Sequence, residues 1–139
     1  MAESLQNLGL HLTRQGKPDE AIKAYEQAIA IRRGAFGGTH KLTLGGSLHL
    51  ARARLAAGDT TAARDLFERT LAQEGVDKVE PSVSGQAMFE LAQLLWPERT
   101  ARPRALSLAR QGRDNLATSK SPTEDVDKWL ATHGDKPTK

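Results

Sequence analysis

"SLQNLGLHLTRQGKPDEAIKAYEQAI", residues 4–29, returns in altered spelling as "GSLHLARARLAAGDTTAARDLFERTL", residues 46–71. Leu8 pairs with Leu50, Gly9 with Ala51 and Gly16 with Gly58; Ala21 pairs with Ala63, Tyr25 with Phe67 and Ile29 with Leu71. Every pair is 42 residues apart. A constant offset that preserves size and polarity at six positions marks an internal repeat, and a repeat of this length is one small unit stacked on its copy.

Each copy reads as two helices. In the first, Leu5, Leu8, Gly9 and Leu12 recur at three- and four-residue steps and draw one apolar stripe. Gly16 ends that helix, because glycine enters the left-handed conformation at little steric cost. Pro18 then opens a second helix at its first position, with Asp19 and Glu20 beside the positive helix end. Ala21, Tyr25, Ala28 and Ile29 form the second stripe. In the other copy Gly58 stops a helix and Asp59 or Thr60 caps the next.

These small residues let two antiparallel helices approach closely. The pattern Leu5, Leu8-Gly9, Leu12, Gly16, Ala21, Tyr25, Ala28 resembles the tetratricopeptide repeat, with Arg54 and Thr70 as departures in the second copy. A more diverged third copy runs through "AMFELAQLLWPERTARPRALSLARQGRDNLA", with Leu91-Ala92, Ala105 and Ala109 at the matching positions. Pro97 should end its first helix and Pro103 should start its second. In "SPTEDVDKWLATHG", Ser121 and Glu124 have capping-box spacing around Pro122, and Val126, Trp129 and Leu130 make a narrow stripe suited to a terminal capping helix.

The resemblance implies an all-α fold, a right-handed α-solenoid of antiparallel helix pairs with about seven helices. The expected organisation is one array over residues 1–132: repeat one 2–33, repeat two 40–74, repeat three 82–118 and a capping helix 122–132. A flexible tail is expected over 133–139. Met1-Ala2 runs straight into helical pattern, as expected of an array cut from something longer.

The offset exceeds the usual period of about 34 residues. The surplus falls in "GAFGGTH", residues 34–40. Five glycines crowd residues 31–46, yet no strand precedes them and neither G-x-x-x-x-G-K-[ST] nor G-x-G-x-x-G is present, so no phosphate-binding loop is expected. The glycines should close one helix and bend the chain, with Phe36 plugging the groove between repeats and Thr39 capping the next helix. Ile31-Arg32, Gly37, His40 and Thr43 further resemble the connector of kinesin-light-chain-type repeats and their bacterial relatives. Such repeats are often joined to regulatory domains, including Ser/Thr kinases.

The chain has 139 residues, no cysteine and a net charge of +3 distributed among acidic neighbours. This argues against a disulfide framework, a thiolate metal site and a nucleic-acid footprint. No apolar run approaches the roughly 20 residues of a membrane span and no signal peptide opens the sequence, so a cytoplasmic location is expected. His11, His40, His49 and His133 lack metal-ligand spacing. The pairs Asp19-Glu20 and Glu124-Asp125 sit where helix dipoles favour acids, and Ser4, Ser47 and Ser107 have no nucleophile-elbow context. Neither enzyme activity nor a cofactor or metal is expected.

A solenoid's inner wall is built from the first helix of each repeat. The expected wall residues, beside the core stripe, are Gln6, Leu10, Thr13 and Arg14 in repeat one, Leu48, His49, Arg52 and Leu55 in repeat two, and Phe89, Glu90, Gln93 and Trp96 in repeat three. Phe89, Trp96, Leu48 and Leu55 can equally be read as core. Arg14 and Arg52 offer forked donors suited to a carboxylate. The expected function is binding of a peptide or partner domain. Self-association into a homo-oligomer and regulatory sensing for a linked signalling domain are the alternatives.

Overall fold

The chain folds into α1 (Ala2–Arg14), α2 (Pro18–Phe36), α3 (Lys41–Ala56), α4 (Thr60–Leu71), α5 (Pro81–Leu95), α6 (Arg102–Thr118) and α7 (Glu124–His133). Short 3-10 turns occupy Glu74–Lys78 and Arg99–Ala101. This computed structural model describes residues 1–134, among which there is no strand. Of the tail expected over 133–139, all but His133 and Gly134 lie outside the described residues. No helix among the described residues is long and apolar enough to cross a membrane. The chain divides into two compact units, Met1–Val79 and Glu80–Lys139.

In the first unit each helix packs on the next, α1 on α2, α2 on α3 and α3 on α4. The repeat positions supply the core: Ala21, Tyr25, Ile29, Leu50 and Ala53 cluster with Leu10, Leu12, Ile22 and Leu66 around them. Phe67 is fully buried at the place equivalent to Tyr25. Gly16 and Gly58 have φ of +77° and +88°. Each closes its helix with the same double hydrogen bond: Gly16 N–H to Thr13 O and Lys17 N–H to Leu12 O, then Gly58 N–H to Leu55 O and Asp59 N–H to Arg54 O. Pro18 opens α2, and the Asp59 carboxylate accepts from Ala62 N–H at 3.2 Å to cap α4. Arg54, off-pattern in the sequence, bridges to Glu26 of α2 at 3.1 Å.

Three expectations fail in this unit for local reasons. α2 runs on to Phe36 before Gly37, with φ +92°, ends it. Phe36 therefore stays on the helix end, 52% exposed and stacked on the His40 ring 4.5 Å away, and plugs nothing. His40, not Thr39, caps α3, its Nδ1 accepting from Leu42 N–H at 3.1 Å. Leu8 is 46% exposed whereas its partner Leu50 is 8% exposed. Leu50 lies in the cluster that α2 forms with α3 around Tyr25 and Ile29, whereas Leu8 lies outside it.

The unforeseen 3-10 turn at Glu74–Lys78 packs on α3. Gly75 permits it, since a Cβ there would lie 2.2 Å from the Thr39 carbonyl oxygen.

In the second unit α5 and α6 pair most extensively, and α7 packs on α6. Their backbones nearly touch at two glycines, for a Cβ on Gly112 would lie 2.7 Å from Gly85 O and one on Gly85 2.8 Å from Gly112 O. α5 stops at Leu95 ahead of Pro97, and Arg102 Nε donates to Trp96 O at 3.0 Å across the bend. Pro103 lies in the first turn of α6. The capping helix starts at Glu124, two residues later than expected. Ser121 is engaged in closing α6: its N–H donates to Leu116 O at 2.8 Å, while Lys120, at φ +57°, takes the position that glycine holds in the first two repeats. Thr123 then precedes α7 and donates to Asp127 Oδ2 at 2.9 Å.

Candidate functional site

The first unit gathers polar side chains from three helices around the Tyr25 ring. Tyr25 comes from the middle of α2 and lies flat against Gly9 of α1, so closely that a Cβ there would stand 2.7 Å from its Cε1 and Cζ. On the α3 side the ring stacks on His49, centroids 5.8 Å apart and planes 10° from parallel. The hydroxyl is hydrogen-bonded to the Thr13 side chain of α1, and the charges of Arg52 and Arg14 act on it. Burial pushes the phenol's pKa up against that hydrogen bond and those charges, so it remains a neutral hydroxyl.

His49 is pushed down to about 4, first by burial, then by the Arg52 and Arg32 charges. It is neutral at pH 7, a ring with one donor and one acceptor nitrogen. Arg32, buried at the far end of α2, donates to Gln6 Oε1 on α1 and to Leu42 O on α3 at 3.4 Å. Gln6, Arg32, His49, Tyr25 and Thr13 thus form one seam across the three helices, with Arg14 and Arg52 acting on its Tyr25 end.

Of the residues expected to line the inner wall, the structure joins Gln6, Thr13, Arg14, His49 and Arg52 in this seam, with half-buried Leu10 and Leu55 as apolar neighbours on the same two helices. Leu48 is fully buried and is core. Arg32 and Tyr25 belong to the seam although sequence reasoning gave them other roles. The 3.6-residue period placed Tyr25 in the core correctly, but nothing in the spacing showed that its hydroxyl reaches Thr13 of α1.

In the second unit Phe89 is buried against the edge of Trp129, 6.1 Å between centroids. Trp96 meets Trp129 and His133 edge-on at 5.3 and 4.9 Å, and Arg102 lies 4.8 Å over its ring. α7 therefore covers the aromatic side of α5, and Phe89 and Trp96 serve to seat the cap. Gln93 is exposed, and half-buried Glu90 accepts from Gln86 on its own helix at 3.2 Å. Among the described residues no three His, Asp or Glu side chains converge as a metal site.

Comparison with known proteins agrees with this architecture. A solved structure of the nearly identical TPR-like repeats assigned to a kinesin light chain of Podosopora anserina superposes with a TM-score of 0.72 at 23% identity, covering 94% of this chain and 64% of that one. A single-substitution variant of the same repeats gives 0.72 at 24% identity with the same coverage. The chain thus spans a little under two thirds of the length of these structural relatives, and the likeness is one of fold. No curated protein matches the sequence. Two tetratricopeptide-repeat family profiles match, over residues 1–73 and 48–111. With repeat spacing and helix closures in register, the chain belongs to the tetratricopeptide-repeat family of α-solenoid protein-interaction modules.

Proposed function

We propose that the chain is a non-catalytic interaction module that receives a carboxylate-bearing peptide, or the equivalent segment of a partner domain, on the α1–α3 side of its first unit. The observation that carries this is the convergence of Thr13, Arg14 and Arg52 on the Tyr25 hydroxyl, with His49 stacked on the Tyr25 ring beside them. Two guanidinium groups provide planar forks for a carboxylate. Neutral His49 adds a hydrogen bond without adding charge, and Leu10 and Leu55 offer apolar surface for a neighbouring side chain. With its pKa held near 4, His49 is a poor proton acceptor at neutral pH, which supports a binding role over a catalytic one.

The test is fluorescence anisotropy with labelled acidic peptides and their amide counterparts. Acidic peptides should bind, and binding should weaken as salt screens the exposed arginine. Arg14→Glu with Arg52→Glu should cost roughly tenfold or more in affinity, since each removes a charge-assisted pair and adds repulsion. Unchanged affinity in the double variant sinks the assignment.

A second reading is self-association through α1. It is favoured by Leu8, which lies open on α1 where the repeat's own logic places a covering helix over Leu50. Light scattering over a range of concentrations separates the two readings: a mass that doubles on concentration and reverts in Leu8→Gln supports pairing of copies.

A further inference from the structure

We infer that the second helical hairpin carries a small-dianion site, separate from the α1–α3 seam and independent of the function proposed for it. Where the end of α2, the 37–40 connector, α3 and α4 meet, the structure holds a cavity of about 280 Å³. Its walls include Arg33, Thr39, Ser47, Arg69, Thr70 and Gln73. At roughly 30 Å³ per water in the liquid, the space suits a ligand of under ten heavy atoms.

The chain's own repeat shows how this cavity arises. Carried back by 42 residues, Ser47 corresponds to Leu5, Thr70 to Ala28, Gln73 to Ile31 and Arg69 to Gln27. Three apolar positions have become polar and one neutral amide has become a guanidinium, and all four changes line one space. Loss of the Leu5 side chain at Ser47 opens the room. Thr70, one of the two off-pattern residues of this repeat, is 4% exposed, and Ser47 is 7% exposed. The second repeat thus sets two hydroxyls at this space where the first repeat has apolar side chains. Ser47 Oγ donates to Thr43 O at 3.2 Å, which leaves its oxygen able to accept.

The charge of the walls fixes the ligand class. Arg33 comes from the last turns of α2, and Arg69 enters from α4. Arg69 Nε is paired with Asp65 at 2.9 Å, but both side chains are more than half exposed, so exchanging that partner for a ligand oxygen costs little. Two guanidinium groups with hydroxyl and amide groups between them suit a compact doubly charged anion, a phosphate monoester or a short dicarboxylate. Leu44 and Leu66, also in the lining, can meet its carbon chain.

The experiment is an amide-resolved NMR titration of the full chain at fixed ionic strength, with glycerol phosphate, succinate and chloride as probes. At least one dianion should saturate at millimolar concentration or below, shifting the amides of Gly38, Thr39 and Gln73, and whichever does so identifies the headgroup chemistry. Arg33→Gln, at an exposed helical position that leaves folding intact, should weaken binding roughly tenfold or more. Ser47→Leu with Thr70→Ala restores the residues of repeat one and should abolish it. If both dianions behave like chloride, if the shifts fall on Arg14 and His49 instead, or if Arg33→Gln binds normally, the site is refuted. Shifts on Arg14 and His49 would instead speak for anion binding at the α1–α3 seam, whereas the other outcomes leave peptide binding there untouched.

Discussion

His49 shows how one side chain ties packing to charge. Its ring is stacked against Tyr25 beside two guanidinium groups, so protonation must put a cation among cations in a half-dry site. The folded-state pKa near 4 lies below the ordinary 6.5, so the stabilisation is fully present above pH 6.5 and is lost as the pH falls toward 4. At about 1.4 kcal/mol per pH unit the loss approaches ~3 kcal/mol. Urea denaturation at pH 7 and pH 4.5 should show this steepening, and His49→Phe, which keeps a ring but cannot titrate, should flatten it. Equal pH slopes in both proteins would mean His49 is not the group responsible. Lys120 is the opposite case, a residue placed against its preference. Its φ of +57° performs a glycine's task, at a cost of roughly 1–2 kcal/mol for a side chain in that region. Lys120→Gly regains that cost less the extra entropy of the unfolded glycine, and should raise stability by about 0.5–1 kcal/mol in thermal melts.

At the scale of elements, helix identity was legible and helix ends were only partly so. The 42-residue offset, Gly16, Gly58, Pro18 and Pro103 located α1 to α6, because each acts through its own backbone. Three details escaped. Thr39 lost the cap to His40, as two residues with competent side chains stood together and only the connector's path decides between them. Phe36 was expected inside because it is large and apolar, yet it stays on the end of a helix that ran longer than the glycine at position 34 suggested. Gly85 and Gly112 face each other across 27 residues of sequence, and no local pattern announces that meeting. Glycine substitutions make the distinction measurable. Gly112→Ala forces α5 and α6 apart, at about 1–3 kcal/mol for overpacking less ~1 kcal/mol for better helix propensity, so it should destabilise. Gly34→Ala, with nothing within 4 Å of the new methyl, should stabilise by up to ~1 kcal/mol. The same chemical change should thus move chemical denaturation midpoints in opposite directions.

On the scale of the whole molecule, the candidate seam was half legible. Gln6, Thr13, Arg14, His49 and Arg52 follow from counting positions beside a helical stripe, whereas Leu48 and Phe89 were drawn toward solvent by a count that cannot tell a groove from a core. Repeat symmetry also predicts where the molecule can be divided. Met1–Val79 encloses its own cluster around Tyr25, Ile29 and Leu50, Phe67 is fully buried in α4, and Val79 is buried beside Gly45 of α3 after the turn that Gly75 permits. Stacked repeats draw stability from their own packing and from nearest neighbours, so two hairpins meeting across α2 and α3 already contain one such interface. A fragment of residues 1–79 should therefore fold, with helical circular dichroism and a cooperative melt. At that size a single core supplies no more than about 3–5 kcal/mol, so a low melting temperature is expected. Tyr25 should remain packed against His49, and the drop in stability between pH 6.5 and 4 should persist in the fragment. A fragment that is helical but melts without cooperativity, or one with no such pH dependence, would show that the seam is not a property of the first two repeats alone.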